Sequence, residues 1–375
     1  MTQRVRSVLD KDAYTRSDIV SLLEATDPED IEAIRSKAES VLLAHCGGGV
    51  FLRGLMEFSN VCACDCHYCG IRKSNGAVHR YTIPKEEIVE AAMRCARKGY
   101  GSMVLQSGER RDEFFIQFVE DVVRAVKERT TNEHLPDGLG VTLCIGEQSR
   151  EVYERLFAAG AHRYLLRIET SSPRLFEALH PPAQRFYERV ACLRALHDIG
   201  FQTGTGVMIG LPGQTTGDLA DDLLFFRRID VDMIGMGPYI VHRQTPMARY
   251  AGEMSENRRR VLALALLMIA VARITLKDVN IAATTALEAM HPAGRELGLR
   301  FGANVVMPPV TPLGASRSYT LYEGKPLPPD DRAAAGESFE ERVRSMGRGI
   351  GFNSWGDPLH YFRRTEQGAI PLCSG

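Results

Sequence analysis

Strand-like and helix-like segments alternate eight times between residues 50 and 307. Eight short runs rich in β-branched and apolar residues have the character of buried strands. They are Val50–Phe58, Ser102–Gln106, Gly140–Ile145, Arg163–Ile168, Thr203–Ile209, Asp232–Met236, Asn280–Thr284 and Asn304–Met307. Amphipathic helical segments separate them. Eight β-then-α units in about 250 residues predict an α/β fold of the (β/α)8 TIM-barrel type, with an open doubly wound sheet as the alternative.

The segments outside this alternation divide the chain into three predicted parts. Residues 1–48 are expected to form a helical N-terminal extension, because Asp27-Pro28-Glu29-Asp30 is typical of a helix start and Gly47-Gly48-Gly49 of a helix end. Residues 49–312 are expected to form the barrel. Residues 313–375 are expected to form a C-terminal cover segment, with a charged helix near Glu337–Met346.

Polar or small residues stand where several predicted strands end. They are Ser59-Asn60, Gln106-Ser107, Glu147, Glu169, Gly210 and Thr284-Thr285. The loops that follow the strands of a parallel barrel lie together at its carboxyl-terminal face, where the active sites of such barrels lie. The pattern therefore predicts one functional site at that rim.

Charge and hydropathy exclude some partners. Lys and Arg number 46 against 47 Asp and Glu, so no basic field attracts the whole chain to nucleic acid or an anionic membrane. The longest apolar stretch, Val261–Ala272, is shorter than the ~18 residues of a membrane-spanning helix. The N-terminus has no apolar core typical of a secretory signal. We expect a cytoplasmic protein with no membrane and no nucleic-acid partner.

Four of the nine cysteines fall within the eight residues Cys62 to Cys69. The spacing of Cys62, Cys66 and Cys69 suits three irons of a cubane cluster, whose fourth iron would then have no ligand from the protein. A closed zinc site is the alternative, with Cys64 or His67 as a fourth ligand. We expect Cys64 to point away from its neighbours.

The remaining cysteines have no comparable spacing. Cys95 and Cys192 lie in predicted helices and Cys144 lies in a predicted strand, where a free cysteine is usually a small buried hydrophobe. Cys46 and Cys373 are expected near exposed turns.

The cysteine loop after the first strand resembles that of the radical S-adenosylmethionine (SAM) superfamily. This resemblance implies a [4Fe-4S] cluster on Cys62, Cys66 and Cys69, whose open iron chelates SAM and whose electron cleaves SAM to a 5′-deoxyadenosyl radical. It also implies that Tyr68 packs beside the adenine or shields the cluster. Ser107-Gly108-Glu109 resembles the Gly-Gly-Glu element that receives the methionine ammonium, with Ser107 in place of the first Gly.

Within that superfamily, nine segments, which follow one another from the first strand to the predicted cover, resemble the HydE family of [FeFe]-hydrogenase maturases. The segments are Glu57–Cys62, Cys69–Arg72, Val104–Glu109, Arg163–Thr170, Gly210–Thr215, Asp222–Phe225, Ala283–Ala286, Gly302–Pro308 and Leu321–Gly324. Many HydE sequences also carry a second cysteine trio near the C-terminus for an auxiliary cluster. Residues 320–372 contain no cysteine, so this chain departs from that pattern at its tail.

The HydE resemblance implies roles for individual residues. Glu169 and Arg189 would hold SAM, and Met233 would line the adenosyl pocket. Residues near the substrate inside the barrel would be Gln106, Arg163, Thr284, Thr285 and Met307. Tyr319 and Tyr322 would seal the cavity or contact the reacting substrate. Rim salt bridges and ordinary strand-forming threonines are the structural alternatives for several of these residues.

The arginines of the fourth strand and the family resemblance both bear on the substrate. Arg163 and Arg167 share one face of that strand and favour an anionic ligand in the barrel. The resemblance implies an organometallic iron complex with cysteine, carbon monoxide and cyanide as substrate. It also implies the maturases HydG and HydF as partners and an external electron donor.

Three other interpretations remain open at this stage. Methylornithine synthase and biotin synthase have related barrels, although biotin synthase needs strand-borne cysteines for an internal cluster. The third interpretation is an iron–sulfur or zinc binding module without turnover.

Overall fold

The computed structural model describes residues 1–328 and 338–366. The strands of this part of the chain are β1 Gly49–Ser59, β2 Ser102–Ser107, β3 Gly140–Cys144, β4 Arg163–Leu165, β5 Gln202–Thr205, β6 Met208–Ile209, β7 Met233–Ile234, β8 Gly237–Pro238, β9 Asn280–Ala283, β10 Val305–Val306 and β11 Gly349–Ile350. The α-helices are α1 Gln3–Leu9, α2 Arg16–Leu23, α3 Pro28–His45, α4 Lys85–Arg97, α5 Glu113–Thr130, α6 Arg150–Ala158, α7 Pro173–Leu179, α8 Phe186–Ile199, α9 Thr216–Arg228, α10 Ala251–Glu256, α11 Arg258–Leu276, α12 Thr285–Met290, α13 Gly294–Arg300, α14 Leu313–Ser316, α15 Phe339–Ser345 and α16 Leu359–Glu366. A 3-10 helix covers Pro246–Tyr250.

Eight of these strands form a closed parallel barrel in the order β1-β2-β3-β4-β5-β7-β9-β10. The pairing of Phe51 with Val305 joins β1 to β10 and closes the ring. The predicted (β/α)8 barrel is therefore confirmed, and the open-sheet alternative is wrong because the two ends of the sheet pair with each other. Strands β6 and β8 form a small separate parallel pair.

Several strands are shorter than the sequence pattern predicts. Strand β4 ends at Leu165 rather than at residue 168, and the predicted run Thr203–Ile209 is divided into β5 and β6. The chain leaves the β4 ladder after Leu165, and Glu169, four residues later, adopts a left-handed conformation with φ 65°. These irregular stretches lie at the carboxyl-terminal face, where they contribute side chains to the site.

Local signals in the sequence set the limits of the outer helices. The Asp112 side chain accepts a hydrogen bond from the Phe115 backbone and so caps α5, and Thr215 and Asp218 form a capping box at the start of α9. Gly200 ends α8 with φ 105°, which a residue with a side chain adopts at a cost. The apolar faces of these helices pack on the barrel.

The N-terminal helices pack on the outside of the barrel. Helix α2 lies against α9, and α3 lies against α11. Leu22, Ile34 and Leu42 are buried in these contacts. The exposed ion pair between Arg16 and Asp221 also joins α2 to α9, with 2.7 Å between nitrogen and oxygen.

The described residues after Pro312 reach both ends of the barrel. Residues 318–325, here called the cap segment, lie over the carboxyl ends of the strands, where the Asn60 side chain donates to the Ser318 carbonyl at 2.7 Å. Residues 349–357, here called the plug segment, lie at the amino ends, where β11 pairs with the start of β1. The Asn280 side chain donates to the Gly356 carbonyl at 2.7 Å. Glu337 and Cys373 lie outside the described residues.

In the described ranges 1–328 and 338–366, no helix is long and apolar enough to cross a membrane.

Candidate active site

A cavity of about 290 Å³ opens at the carboxyl-terminal face of the barrel, beneath the cap segment. It brings together most of the residues that the sequence predicts for the site. These are Cys62, Cys66, Tyr68, Cys69, Gln106, Gly108, Glu109, Glu169, Arg189, Thr284, Thr285, Met307, Tyr319 and Tyr322. Residues distant in sequence therefore share one cavity.

The loop that carries the cysteines is irregular, but its backbone is held by neighbouring elements. Ala63 donates to the Glu109 carbonyl at 2.8 Å, and Gly70 donates to the Leu321 carbonyl of the cap segment at 3.0 Å. The Arg80 guanidinium donates to the carbonyls of Asn60, Ile71 and Arg72 at 2.6–2.7 Å. These hydrogen bonds pair backbone N–H and C=O groups of the loop, which has no neighbouring strand to pair with them.

The three cysteines form one wall of the cavity and suit a cluster that takes one thiolate per iron. Burial raises the pKa of Cys66 to about 12 and raises that of Cys69 well above its usual value. Such thiols ionise when a cationic metal centre compensates them. Among the residues described, no three His, Cys, Asp or Glu side chains converge on a single-metal position. A cubane does not need such convergence, because each cysteine binds a different iron.

Gly108 gives the cysteine loop room to approach β2. A Cβ atom at this position would lie 2.5 Å from the Val61 carbonyl oxygen and 2.7 Å from Cys62 Cβ. Any side chain larger than hydrogen would therefore displace the first cysteine of the trio.

The expectation that Cys64 points away from the other cysteines is wrong. Cys64 lines the same cavity, and its backbone N–H lies 3.4 Å from Cys62 Sγ. The loop turns at this point because Ala63 is bound to the Glu109 carbonyl, which directs Cys64 back toward Cys62.

A network of charged residues lies beside the cysteines. Arg111 binds Glu109 at 2.7 Å and Glu147 at 3.1 Å, and the Glu147 backbone donates to Glu109 Oε2 at 2.9 Å. Arg189 pairs with Glu147 and donates to the Arg167 carbonyl at 2.7 Å. Burial lowers the pKa of Arg189, but Glu147 outweighs it and raises the pKa above its usual value, so the guanidinium stays charged.

Glu169 also lines the cavity, in a strained backbone conformation. Its φ of 65° is unusual for a residue with a side chain, and it is held by hydrogen bonds to Gly206 and Met208 at 3.0 and 2.9 Å. Its carboxylate receives the Arg167 guanidinium at 3.0–3.1 Å and the Tyr68 hydroxyl at 3.4 Å. Strain at a buried, charge-paired residue is typical of a functional position.

The mostly apolar cavity also contains, beneath the cap segment, uncharged polar side chains and one ion pair. The Gln106 side chain donates to the Tyr319 hydroxyl at 3.3 Å, and Tyr319 is 1% exposed. Thr284 donates to the Met236 carbonyl at 3.3 Å. The Lys325 ammonium lies 2.6 Å from a Glu57 oxygen, with both side chains buried.

Arg163 and Met233 do not reach the cavity, so their predicted positions need correction. Arg163 donates to Ser102 at 3.0 Å and to the Trp355 carbonyl of the plug segment at 2.6 Å, and it also pairs with Asp357. Met233 Sδ lies 2.6 Å from an Arg53 guanidinium nitrogen. Both residues begin their strands, at the amino ends, away from the carboxyl-terminal face on which the cavity opens.

Other cavity residues were absent from the predicted site. They are Glu57, Cys144 and Lys325. Arg167, which the sequence predicts to favour an anionic ligand in the barrel, does line the cavity, whereas Glu147, predicted at the rim, lies beside it and pairs with Arg189. Cys144 was expected to be an ordinary buried hydrophobe but lines the cavity. Lys325 lies in a segment without periodicity, and nothing in the sequence pattern singled it out.

Comparisons with known proteins assign the chain to a family. Residues 56–226 match the model of the radical SAM superfamily. The chain is 40% identical over 355 residues to the [FeFe]-hydrogenase maturase subunit HydE of Thermotoga maritima, with 94% of this chain and 97% of that protein covered. The chain belongs to the radical SAM superfamily and, within it, to the HydE family. It is a radical SAM enzyme of the hydrogenase-maturase type, as the sequence resemblance predicted.

More distant similarities agree on the fold. Biotin synthase of Bacillus cereus is 26% identical over 244 residues, which cover 64% of this chain and 70% of that enzyme. A methylornithine synthase (PylB) structure has a TM-score of 0.73 at 23% identity, covering 94% of this chain and 98% of that one. A structure of the maturase HydG has a TM-score of 0.77 at 17% identity, covering 95% and 77% of the two chains.

Proposed function

We propose that this enzyme holds a [4Fe-4S] cluster on Cys62, Cys66 and Cys69 and binds SAM at the remaining iron. It would act on an iron–cysteine complex during assembly of the di-iron subcluster of [FeFe]-hydrogenase. The observation that carries the proposal is that the three thiols share one cavity with the charged residues around Glu109 and Glu169. The identity to HydE across nearly the whole chain supports the hydrogenase context.

The cluster, when bound, supplies the electron that cleaves SAM to methionine and a 5′-deoxyadenosyl radical. The residues of the chain bind and orient the reactants. Glu109, after Gly108, accepts the methionine ammonium, and Arg189 donates to the methionine carboxylate. Glu169 accepts from a polar group of the methionine or ribose. Tyr68 packs beside the adenine.

The substrate occupies the space between this SAM site and the cap segment. Gln106, Thr284 and Thr285 offer hydrogen bonds to it, and Met307 offers an apolar contact. Tyr319 and Tyr322 close the cavity above it. A cavity closed in this way keeps water and stray C–H bonds from a reactive radical.

The reaction also requires partners outside the chain. An external donor supplies the electron, HydG supplies the iron complex, and HydF receives the product. We place these steps in the cytoplasm.

A hydrogenase-maturation mixture that lacks only HydE tests the proposal. Adding this protein should restore hydrogenase activity, and Cys69→Ser should abolish the restoration. Cys46→Ser is the matched control, because Cys46 lies at the end of α3, outside the cavity. Failure of the wild-type protein to restore activity, or formation of methylornithine from lysine, would contradict the proposal.

A further inference from the structure

The ion pair between Lys325 and Glu57 is a buried feature of the cavity to which the proposed reaction gives no role. Lys325 belongs to the cap segment and Glu57 to β1, 268 residues earlier in the chain. The nitrogen and oxygen are 2.6 Å apart, and the two side chains are 6% and 1% exposed. The ammonium also lies 5.3 Å from the centre of the Tyr319 ring.

Stability alone is a poor reason to keep such a pair. Removing two charges from water costs several kcal/mol per ion, and apolar residues of the same volume often serve a fold as well or better. Burial raises the pKa of Glu57, and Lys325 only partly offsets this, so the carboxylate is held at a cost. Binding of a ligand explains a charged pair in this cavity better than a contribution to stability does.

Lys325 has hydrogen-bonding capacity to spare. A lysine ammonium has three N–H donors. In the part of the chain that the structure describes, Lys325 donates only to Glu57. Lys325 and Glu57 both line the cavity, together with Gln106 and Tyr322. The remaining donors are therefore available to a ligand inside the cavity.

The charge of the pair limits the kind of ligand. Lys325 and Glu57 together are neutral, so the pair matches a ligand that is neutral overall and does not balance a net negative group such as a phosphate. A carboxylate carries a single negative charge and makes short, charge-assisted hydrogen bonds with an ammonium. A ligand with both a carboxylate and an ammonium would suit Lys325 and Glu57 together.

We propose that Lys325 binds a carboxylate of the substrate and thereby determines substrate specificity. This inference rests on the proposed function, because it concerns the same cavity. Lys325 lies at the end of the cap segment. This segment is also held by a hydrogen bond from the Gly70 backbone N–H to the Leu321 carbonyl at 3.0 Å and by the ion pair between Arg243 and Glu323 at 2.8 Å. Binding of the carboxylate therefore also holds the cap segment over the reacting groups.

Two small ligands that differ only in the carboxylate provide the test. L-cysteine and cysteamine share the thiol and the amine, and cysteamine lacks the carboxylate. Each is titrated into the cluster-loaded, SAM-bound enzyme, in which SAM occupies the open iron, and saturation-transfer NMR gives the affinity. The wild-type enzyme should bind L-cysteine more tightly than cysteamine. Lys325→Met should weaken L-cysteine binding by roughly ten-fold or more and leave cysteamine binding unchanged.

Matched variants separate recognition from closure of the cap segment. Lys325→Arg keeps the positive charge and should retain most of the preference for L-cysteine. Arg243→Met removes the exposed ion pair of the same segment, in which Arg243 is 80% exposed, and should behave as the wild type. If Arg243→Met weakens L-cysteine binding as much as Lys325→Met does, the pair of Lys325 and Glu57 only holds the cap segment in place, and the proposal is overturned.

A double variant and an assay of SAM cleavage separate the proposal from misfolding and from failure of the proposed function. The double variant Glu57→Gln with Lys325→Met leaves no unpaired charge, so it should fold even where Lys325→Met does not, and it should show the same loss. Dithionite-driven release of 5′-deoxyadenosine by the wild type and by Arg243→Met tests the proposed function separately, because it requires SAM cleavage but not binding of L-cysteine. Equal binding of both ligands by the wild type, or no binding of L-cysteine up to 50 mM, overturns the proposal.

Discussion

Replacing Gly108 with alanine should disturb the cysteine loop. The added Cβ would lie 2.5 Å from the Val61 carbonyl oxygen and 2.7 Å from Cys62 Cβ, whereas ordinary contacts begin at 3.4 Å. The atoms must therefore separate by about 0.9 Å. Both obstacles belong to the cysteine loop itself, so no flexible side-chain end can absorb the shift.

The expected effect has two parts. Overpacking of this kind typically destabilises a fold by about 1–3 kcal/mol. A displacement of Cys62 by most of an ångström also spoils the geometry of a metal ligand, for which deviations above about 0.2 Å already matter. Reconstituted Gly108→Ala should therefore hold clearly less iron than the wild-type value of about four per chain. Iron and sulfide analysis, with the electron paramagnetic resonance (EPR) spectrum of the reduced protein, measures this loss.

Gly76→Ala is the matched control. Gly76 lies shortly after the cysteines, and a Cβ there would have no atom within 4 Å. This variant should keep its iron and its unfolding midpoint. If Gly108→Ala binds as much iron as Gly76→Ala and unfolds at the same denaturant concentration, the close approach of the loop to β2 is not needed and the reasoning is refuted.

Three further predictions concern other charged groups. Asp357→Asn leaves the buried Arg163 guanidinium without its counter-charge and should lower the free energy of unfolding, measured by urea titration, by about 3 kcal/mol. An unchanged unfolding midpoint would show that the contact of the plug segment with Arg163 does not stabilise the fold. Burial lowers the pKa of His360, but Asp230 and a second aspartate raise it to about 10. Because the folded-state pKa lies above the unfolded value of 6.5, the stabilisation is complete below pH 6.5 and is lost as the pH rises toward 10. In urea titrations across that pH range, His360→Gln should not show this loss of stability at alkaline pH. Arg189→Met should weaken SAM binding at least ten-fold while leaving the iron content unchanged, as measured by equilibrium dialysis.

The barrel could be predicted because its determinants are local. Alternating strand and helix patterns fixed the number and order of the eight units, and helix capping at Asp112 and Thr215 agrees with that order. The site could be predicted because the ends of parallel strands converge on one face. Much of the cavity wall therefore follows from residues that directly follow a strand.

The depth at which a side chain lies inside the barrel could not be predicted from the strand pattern. Arg163 and Arg167 share a strand face in the sequence pattern, but the fourth strand leaves its ladder between them and only Arg167 reaches the cavity. Arg163 instead binds the plug segment, whose position depends on contacts nearly 200 residues away in the chain. Lys325 was missed for the same reason, since its partner Glu57 lies at the other end of the barrel sequence.

The central claim is that three thiolates leave one iron free for SAM. EPR-based hyperfine spectroscopy of the reduced, reconstituted enzyme with SAM labelled with ¹⁵N and ¹⁷O in its methionine part tests this most directly. The account predicts hyperfine couplings from both labels to the cluster, present with Cys64→Ser and absent together with the cluster in Cys66→Ser. A reduced cluster whose spectrum shows neither coupling and does not change when SAM is added would contradict it.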